Sequence, residues 1–138
     1  MAQYITHSGN GTKTLAFKIA QRINSGVIAL SGELGTGKTT FVQGFANGLE
    51  IREKIISPTF VLIRQHKIPK LKKTLFHIDL YRLEGNVNIK QLGIEELLNS
   101  DNLVLIEWAE KIKKDLPKNT IKIILKKLAE NKRLITVS

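Results

Sequence analysis

The sequence predicts an α/β protein built on a mainly parallel sheet, and three observations predict it. Gly32-Glu33-Leu34-Gly35-Thr36-Gly37-Lys38-Thr39 fits the phosphate-binding pattern G-x-x-x-x-G-K-[ST] without a mismatch. The apolar run Val27 to Ser31 precedes it, and the stripe Phe41, Val42, Phe45, Ala46 and Leu49 follows, so the order is strand, glycine loop, helix. Further along, Leu103-Val104-Leu105-Ile106 reads as a strand buried on both faces and runs straight into the carboxylate of Glu107.

The other elements follow in order. Ser8-Gly9-Asn10-Gly11 is a turn-forming cluster that can cap a helix, and Leu15, Ala16, Ile19, Ala20 and Ile23 mark that helix from Thr12 on. Asn24-Ser25-Gly26 closes it, and either Ser8 or Thr12 can be its N-cap. Beyond the phosphate loop and its helix, Pro58 holds Ser57 out of the helical region, and Phe60 to Arg64 suggests a strand. Pro69 among Lys67, Lys70, Lys72 and Lys73 marks an exposed turn. In Thr74 to Tyr81 a period of two puts Phe76, Ile78 and Leu80 on one face and His77, Asp79 and Tyr81 on the other. Residues 85–90 read as loop, Ile94 to Leu98 as a short helix, and Ala109 to Lys114 as one or two helical turns before Pro117. Thr120 to Lys126 and Arg133 to Val137 form a hairpin of antiparallel strands at one edge of the sheet.

At 138 residues the chain, residues 1–138, is expected to be one domain with one core. The absence of cysteine removes disulfides, thiolate metal sites and cysteine nucleophiles, and fits a reducing cytoplasm. No basic leader with an apolar core opens the chain, and no apolar run approaches the ~18 residues of a membrane span. The net charge of +10 invites a nucleic-acid reading, but the excess is shared equally between the two halves of the chain. A spread of this kind fits a solvated lysine-rich surface better than a clustered RNA-facing patch.

The chemistry concentrates in few residues. Glycines let successive backbone N–H groups turn inward around a phosphate, and the helix N-terminus adds its own attraction for one. Lys38 is placed to reach the β- and γ-phosphates of a nucleotide, and the Thr39 hydroxyl to complete a Mg²⁺ shell. Glu33 is expected to face solvent. Asp79 and Glu107 interrupt or end apolar strands, where a carboxylate is costly to bury without a partner. A parallel sheet delivers such strand ends to one rim beside the phosphate loop. One of the two can hold Mg²⁺ and the other orient the attacking water; a salt bridge to a lysine is the plainer alternative for each. Thr59, on a loop after the phosphate-loop helix, stands where nucleotide-switch proteins place a magnesium-sensing hydroxyl. His77 reads as a hydrogen-bonded strand histidine. Three separated histidines support no zinc site, no Gly-x-Ser-x-Gly elbow is present, and no Asn/Thr-Lys-x-Asp element reads guanine, which favours ATP.

Gly-Glu-Leu-Gly-Thr-Gly-Lys-Thr-Thr (32–40), Ser-Pro-Thr-Phe (57–60), His-Ile-Asp-Leu-Tyr-Arg (77–82) and Ile-Glu-Trp (106–108) come in the order and spacing of the TsaE (YjeE) family. The chain resembles these bacterial ATPases of tRNA threonylcarbamoyladenosine biosynthesis from the Thr12 helix to the Arg133 strand. The resemblance implies a P-loop NTPase-like three-layer α/β fold, its mainly parallel central sheet flanked by antiparallel strands. It implies ATP and Mg²⁺ as ligands, with Glu33, Leu34, Gly35, Thr36, Gly37, Lys38, Thr39 and Thr40 around the nucleotide. It also implies that Thr39 and Glu107 bind magnesium, that Asp79 is needed for hydrolysis alongside Lys38, and that Thr59 sits in a switch-like loop. Arg133 falls where the family has a basic residue near the nucleotide, Thr12 where it lines the base, and Trp108 adjoins the metal-binding Glu107. The partners implied are TsaD and TsaB, with tRNA contacted indirectly or weakly. Glu33 replaces the family's usual Asp, Thr36 a frequent Ala, and Ala109 a common Pro; none of these removes a catalytic atom. Two rivals remain: a small-molecule kinase, which would need an acceptor pocket and an arginine-bearing lid, and a basic RNA-binding module.

Overall fold

The computed structural model of the chain describes residues 1–53, 55, 62–99 and 101–138. Seven strands, β1 (Ala2–Thr6), β2 (Gly26–Ser31), β3 (Ile63–Ile68), β4 (Lys73–Asp79), β5 (Leu103–Glu107), β6 (Ile121–Ala129) and β7 (Lys132–Val137), form one sheet in the order β1-β7-β6-β2-β5-β4-β3. The four central strands, β6, β2, β5 and β4, run parallel. β7 and β1 continue the sheet antiparallel on one side and β3 does so on the other. Helices α1 (Gly9–Ala20) and α2 (Lys38–Gly48) cover one face; α3 (Ile94–Leu98) and a 3₁₀ segment, Ala109–Asp115, cover β2, β5 and β4 on the opposite face. The three layers and the flanking antiparallel strands agree with the fold expected from the sequence.

Burial follows strand alternation. In β5, Leu103 and Leu105 join Phe41, Phe45 and Leu49 beneath α2, while Val104 and Ile106 pack with Ile78, Leu80, Ile94 and Ile112 on the other face. Glu107 therefore emerges on the α2 side, two residues past Leu105. Ser8 is the N-cap of α1, its hydroxyl accepting the Gly11 N–H at 2.9 Å. Thr12, the other capping candidate, lies inside the helix, buried and hydrogen-bonded to the Thr6 hydroxyl at 2.8 Å.

Several elements differ from their expected bounds, β1, β3 and β4 the most informatively; α1 starts at Gly9 and β6 runs on to Ala129. β1 falls in a stretch read as an N-terminal lead-in to the Ser8 turn, and it forms by pairing with β7, with Thr6 opposite Arg133. β3 begins at Ile63 and runs on to Ile68, past the expected end at Arg64 and through Lys67 of the expected turn. Residues 56–61, including Thr59, Phe60 and Val61, lie outside the described residues. β4 stops at Asp79 because the Asp79 carboxylate turns onto the Tyr81 N–H (2.9 Å), an Asx-type turn that takes Tyr81 out of the strand.

α1 and α2 approach closely through Gly44 and Gly48 of α2. A Cβ at Gly44 would collide with the Lys13 backbone, and one at Gly48 with the Phe17 carbonyl and the Ala20 methyl. Gly44→Ala is therefore expected to destabilise the fold by about 1–3 kcal/mol, although alanine is the better helix former. A urea midpoint lowered at unchanged slope would show this; an unaltered or raised midpoint would mean that the helices separate at little cost.

Candidate functional site

The loop between β2 and α2 is shaped by three glycines at positive φ: Gly32 (150°), Gly35 (82°) and Gly37 (97°). Gly32 is constrained twice, since a Cβ there would also lie 2.6 Å from the Leu125 carbonyl oxygen and 2.8 Å from the Thr36 hydroxyl. Inside the loop, Thr36 Oγ1 donates to the Glu33 carbonyl at 2.8 Å. Gly37 caps α2, and its carbonyl accepts the Phe41 N–H at 2.9 Å. Glu33, Leu34, Gly35 and Thr39 are exposed; Thr36 and Lys38 are buried.

Lys38 reaches back along the loop. Its ammonium donates to the carbonyls of Gly32 and, at 2.8 Å, Glu33, and lies 4.2 Å from the centre of the Trp108 ring. Burial pushes its pKa below the usual 10.5, against the opposing pull of Glu107, Glu110 and Asp79. All three carboxylates thus act on the one ammonium. Asp79 and Glu107 face each other as the last residues of adjacent parallel strands, and β2, two places from β4, delivers the loop to the same rim. Glu107 is only 3% exposed. Its Oε2 lies 2.6 Å from His77 Nε2, itself on β4 two residues before Asp79.

Four predicted residues merit placing individually. Trp108 adopts a left-handed backbone (φ 61°), donates its N–H to the Leu30 carbonyl at 3.1 Å, and packs against Tyr81 with ring centres 5.1 Å apart. Arg133, from β7, grips the outside of the loop, with Nε donating to the Thr36 carbonyl at 3.0 Å and Nη2 to that of Gly35 at 3.4 Å. Its Nη1 donates to the carbonyls of Ala129, Glu130 and Lys132, closing the β6–β7 turn. Thr40 lies in the first turn of α2, its methyl 4.0 Å from where a Gly9 Cβ would be, so the start of α1 meets the start of α2. Thr12, one turn into α1, is sealed from solvent by Thr6.

Two side chains make contacts that no local sequence pattern marks. His77 is the hydrogen-bonded strand histidine expected, but its partner, Glu107, lies on another strand, and the one local sign of it is a second ionisable group on the Asp79 face of an apolar strand. Lys111, from the 3₁₀ segment, donates to the carbonyls of Leu80 (2.8 Å), Tyr81 (2.7 Å) and Leu83 (2.6 Å), tying the turn after β4 to the segment after β5. Nothing in the sequence marked it among so many lysines. Beside the loop, on the face away from α2, lies a mostly apolar cleft of about 540 Å³ lined by Ser31, Glu33, Trp108, Glu110, Lys113 and Ile124.

The family model described as "Threonylcarbamoyl adenosine biosynthesis protein TsaE" matches residues 6–135. The chain belongs to the TsaE family. Among TsaE proteins, that of Rickettsia bellii is 40% identical over 139 residues, covering 99% of this chain and 94% of the relative. The TsaE of Treponema pallidum is 36% identical over 97% of this chain and 98% of its own. The TsaE of Bacillus subtilis is 38% identical over 91% of this chain and 77% of its own. The crystal structure of Bacillus subtilis YdiB superposes with a TM-score of 0.80 at 32% identity, over 99% of this chain and 83% of that one. No helix among the described residues of this TsaE-family chain is long and apolar enough to cross a membrane.

Proposed function

We infer that this chain is a cytoplasmic ATPase that supports threonylcarbamoylation of the adenosine next to the tRNA anticodon. It acts with TsaD and TsaB, contacts tRNA indirectly or weakly, and does not itself transfer the threonylcarbamoyl group. Membership of the TsaE family supports the pathway, and one observation carries the chemistry: Lys38 of the glycine loop and the carboxylates Asp79 and Glu107 meet at a single rim of the sheet.

The residues fit a nucleotide and magnesium. The backbone of Gly35 to Thr39 cradles the phosphates at the start of α2, and Lys38 leaves the Gly32 and Glu33 carbonyls to meet the β- and γ-phosphates. Arg133 holds the loop's shape from outside, and the region around Thr12, at the start of α1 beside the start of α2, is assigned to the base by the family resemblance, although Thr12 itself is buried against Thr6. Among the described residues no three acidic, histidine or cysteine side chains cluster as a metal cage. A donor set of one hydroxyl, Thr39, and one carboxylate, Glu107, suits magnesium, which keeps several waters and takes phosphate oxygens as its remaining ligands. When bound, Mg²⁺ neutralises charge developing on the phosphoryl oxygens. Asp79, more open than Glu107, orients the attacking water; the magnesium-sensing role that the resemblance implies for Thr59 falls on a residue outside those described.

The deciding experiment is reconstitution of tRNA modification from purified components with and without this chain; equal product in both would overturn the reading. Nucleotide binding has its own tests. At ligand near 100 times Kd, Mg-nucleotide should stabilise the fold by about 2.7 kcal/mol and raise Tm by several degrees. Lys38→Ala should lose most of that shift, and equal shifts in both proteins would refute the assignment.

The phosphates need Lys38 as an ammonium, and its lowered pKa means that it deprotonates before an ordinary lysine does. Nucleotide affinity should accordingly weaken as pH rises, beginning below 10.5, by up to about tenfold per pH unit. Stability of the free protein moves the other way. The unfolded chain binds that proton more tightly than the folded one, so folding gains as pH rises between the lowered value and 10.5. Calorimetric titrations across the alkaline range check the sign, with Lys38→Arg expected to flatten the affinity profile.

A further inference from the structure

We propose that His77 is the positioning residue for Glu107, holding one carboxylate oxygen by a buried hydrogen bond so that the other faces the cation at the nucleotide site. The inference rests on the magnesium role of Glu107 proposed above.

The geometry is specific. His77 stands opposite Leu105, and Glu107 opposite Asp79, on the paired strands β4 and β5. His77 and Glu107 thus lie on one face, one pleat apart, with Nε2 and Oε2 separated by 2.6 Å. Both side chains are almost wholly buried, at 1% and 4% exposure. An ionised carboxylate accepts and cannot donate, so the proton of this bond sits on His77 Nε2. His77 Nδ1, equally buried, meets no hydrogen-bond partner. An unpaired buried N–H there would be costly, whereas a bare ring lone pair is the lesser loss. The geometry therefore places the Nε2 proton toward Glu107.

A donor of that kind suits the task. A lysine or arginine at position 77 would orient the carboxylate but would compete with a divalent cation for its charge. An imidazole N–H fixes the orientation and leaves the negative charge to the metal. It also leaves the carboxylate with one committed oxygen, Oε2, and one, Oε1, to offer. Groups that orient a metal ligand in this way typically contribute 10–100-fold in metal affinity. Sequence alone separates the two residues by a span of 30, and only the β4–β5 register brings them together.

The test uses the full chain and a non-hydrolysable ATP analogue, titrated calorimetrically with and without MgCl₂. Wild type should bind the analogue more tightly with magnesium. His77→Leu should keep magnesium-free binding and lose about 10–100-fold of the magnesium-dependent gain. His77→Gln, whose amide can reach the place of Nε2, should retain most of that gain. The ¹⁵N spectrum of the wild-type imidazole should show the proton on Nε2 and none on Nδ1; this readout holds even if the leucine variant does not fold.

A leucine variant with the full magnesium gain, a folded glutamine variant that loses it, or a proton on Nδ1 would each overturn the proposal. A wild-type protein that binds no analogue under either condition would instead overturn the nucleotide reading itself. The two failures are therefore distinguishable.

Discussion

Asp79→Asn is expected to leave Mg-nucleotide binding near the wild-type level while turnover falls by about 10²–10⁴-fold, the usual worth of a positioned acid–base group. The substitution is nearly isosteric. The asparagine carbonyl can still accept the Tyr81 N–H that now reaches Asp79 Oδ1 at 2.9 Å, so the turn ending β4 survives. The Asp79 backbone, whose N–H donates to the Leu62 carbonyl at 3.1 Å, is untouched. What disappears is a negative oxygen able to orient a water and draw its proton. Glu107→Ala should behave differently, because it removes the buried partner of His77 and one of the carboxylates acting on Lys38. The magnesium dependence of binding should weaken there first. Phosphate release under saturating Mg-ATP, set beside calorimetric affinities, separates the two; a swapped pattern would mean that the roles are reversed, and no effect from either would return both to structural ion pairing.

The parts of this molecule that were legible from sequence are those whose signals are local. The phosphate loop is contiguous, and β2 and β5 announce themselves as short apolar runs because both faces of a central parallel strand are covered. Edge strands lack that signal. β1, Ala-Gln-Tyr-Ile-Thr, has one buried residue among its five, and β3, Ile-Arg-Gln-His-Lys-Ile, is polar through its middle. Each owes its existence to a distant neighbour, β7 and β4 respectively. The site divides in the same way. Lys38, Asp79 and Glu107 each carry a local oddity, a glycine loop or a carboxylate in an apolar run. The His77–Glu107 bond, the Arg133 grip on Gly35 and Thr36, and the Lys111 tie to three carbonyls depend on register between strands or on side-chain reach across segments. Gly44 and Gly48, four residues apart on one helix face, carry a sequence signal of close helix approach that the apolar stripe of α2 overshadows.

Hydrolysis by the isolated chain should be slow, and addition of TsaD and TsaB should accelerate it by at least about tenfold, or ~1.4 kcal/mol off the barrier. The argument concerns positive charge. Phosphoryl transfer concentrates charge on the transferring group, and an arginine delivered to it can be worth about 10³–10⁵ in rate. The five arginines of this chain are placed as follows. Arg22 and Arg52 lie just beyond α1 and α2, whose starts meet beside the loop, so both belong to the far end of the sheet. Arg133 is spent on carbonyls on the outer side of the loop. Arg64, on edge strand β3, stands opposite His77, a full pleat short of the rim at Asp79. Arg82 is exposed in the turn beyond β4, past the Asx turn that swings the chain away from the strand line. Lys38 is then the basic side chain that the loop itself supplies, which leaves a partner reason to complete the charge. Phosphate release measured with and without the purified partners decides the matter. High turnover alone, unchanged by partners, would count against a partner-completed site and favour a self-sufficient enzyme; a phosphorylated small-molecule acceptor would identify that enzyme as a kinase.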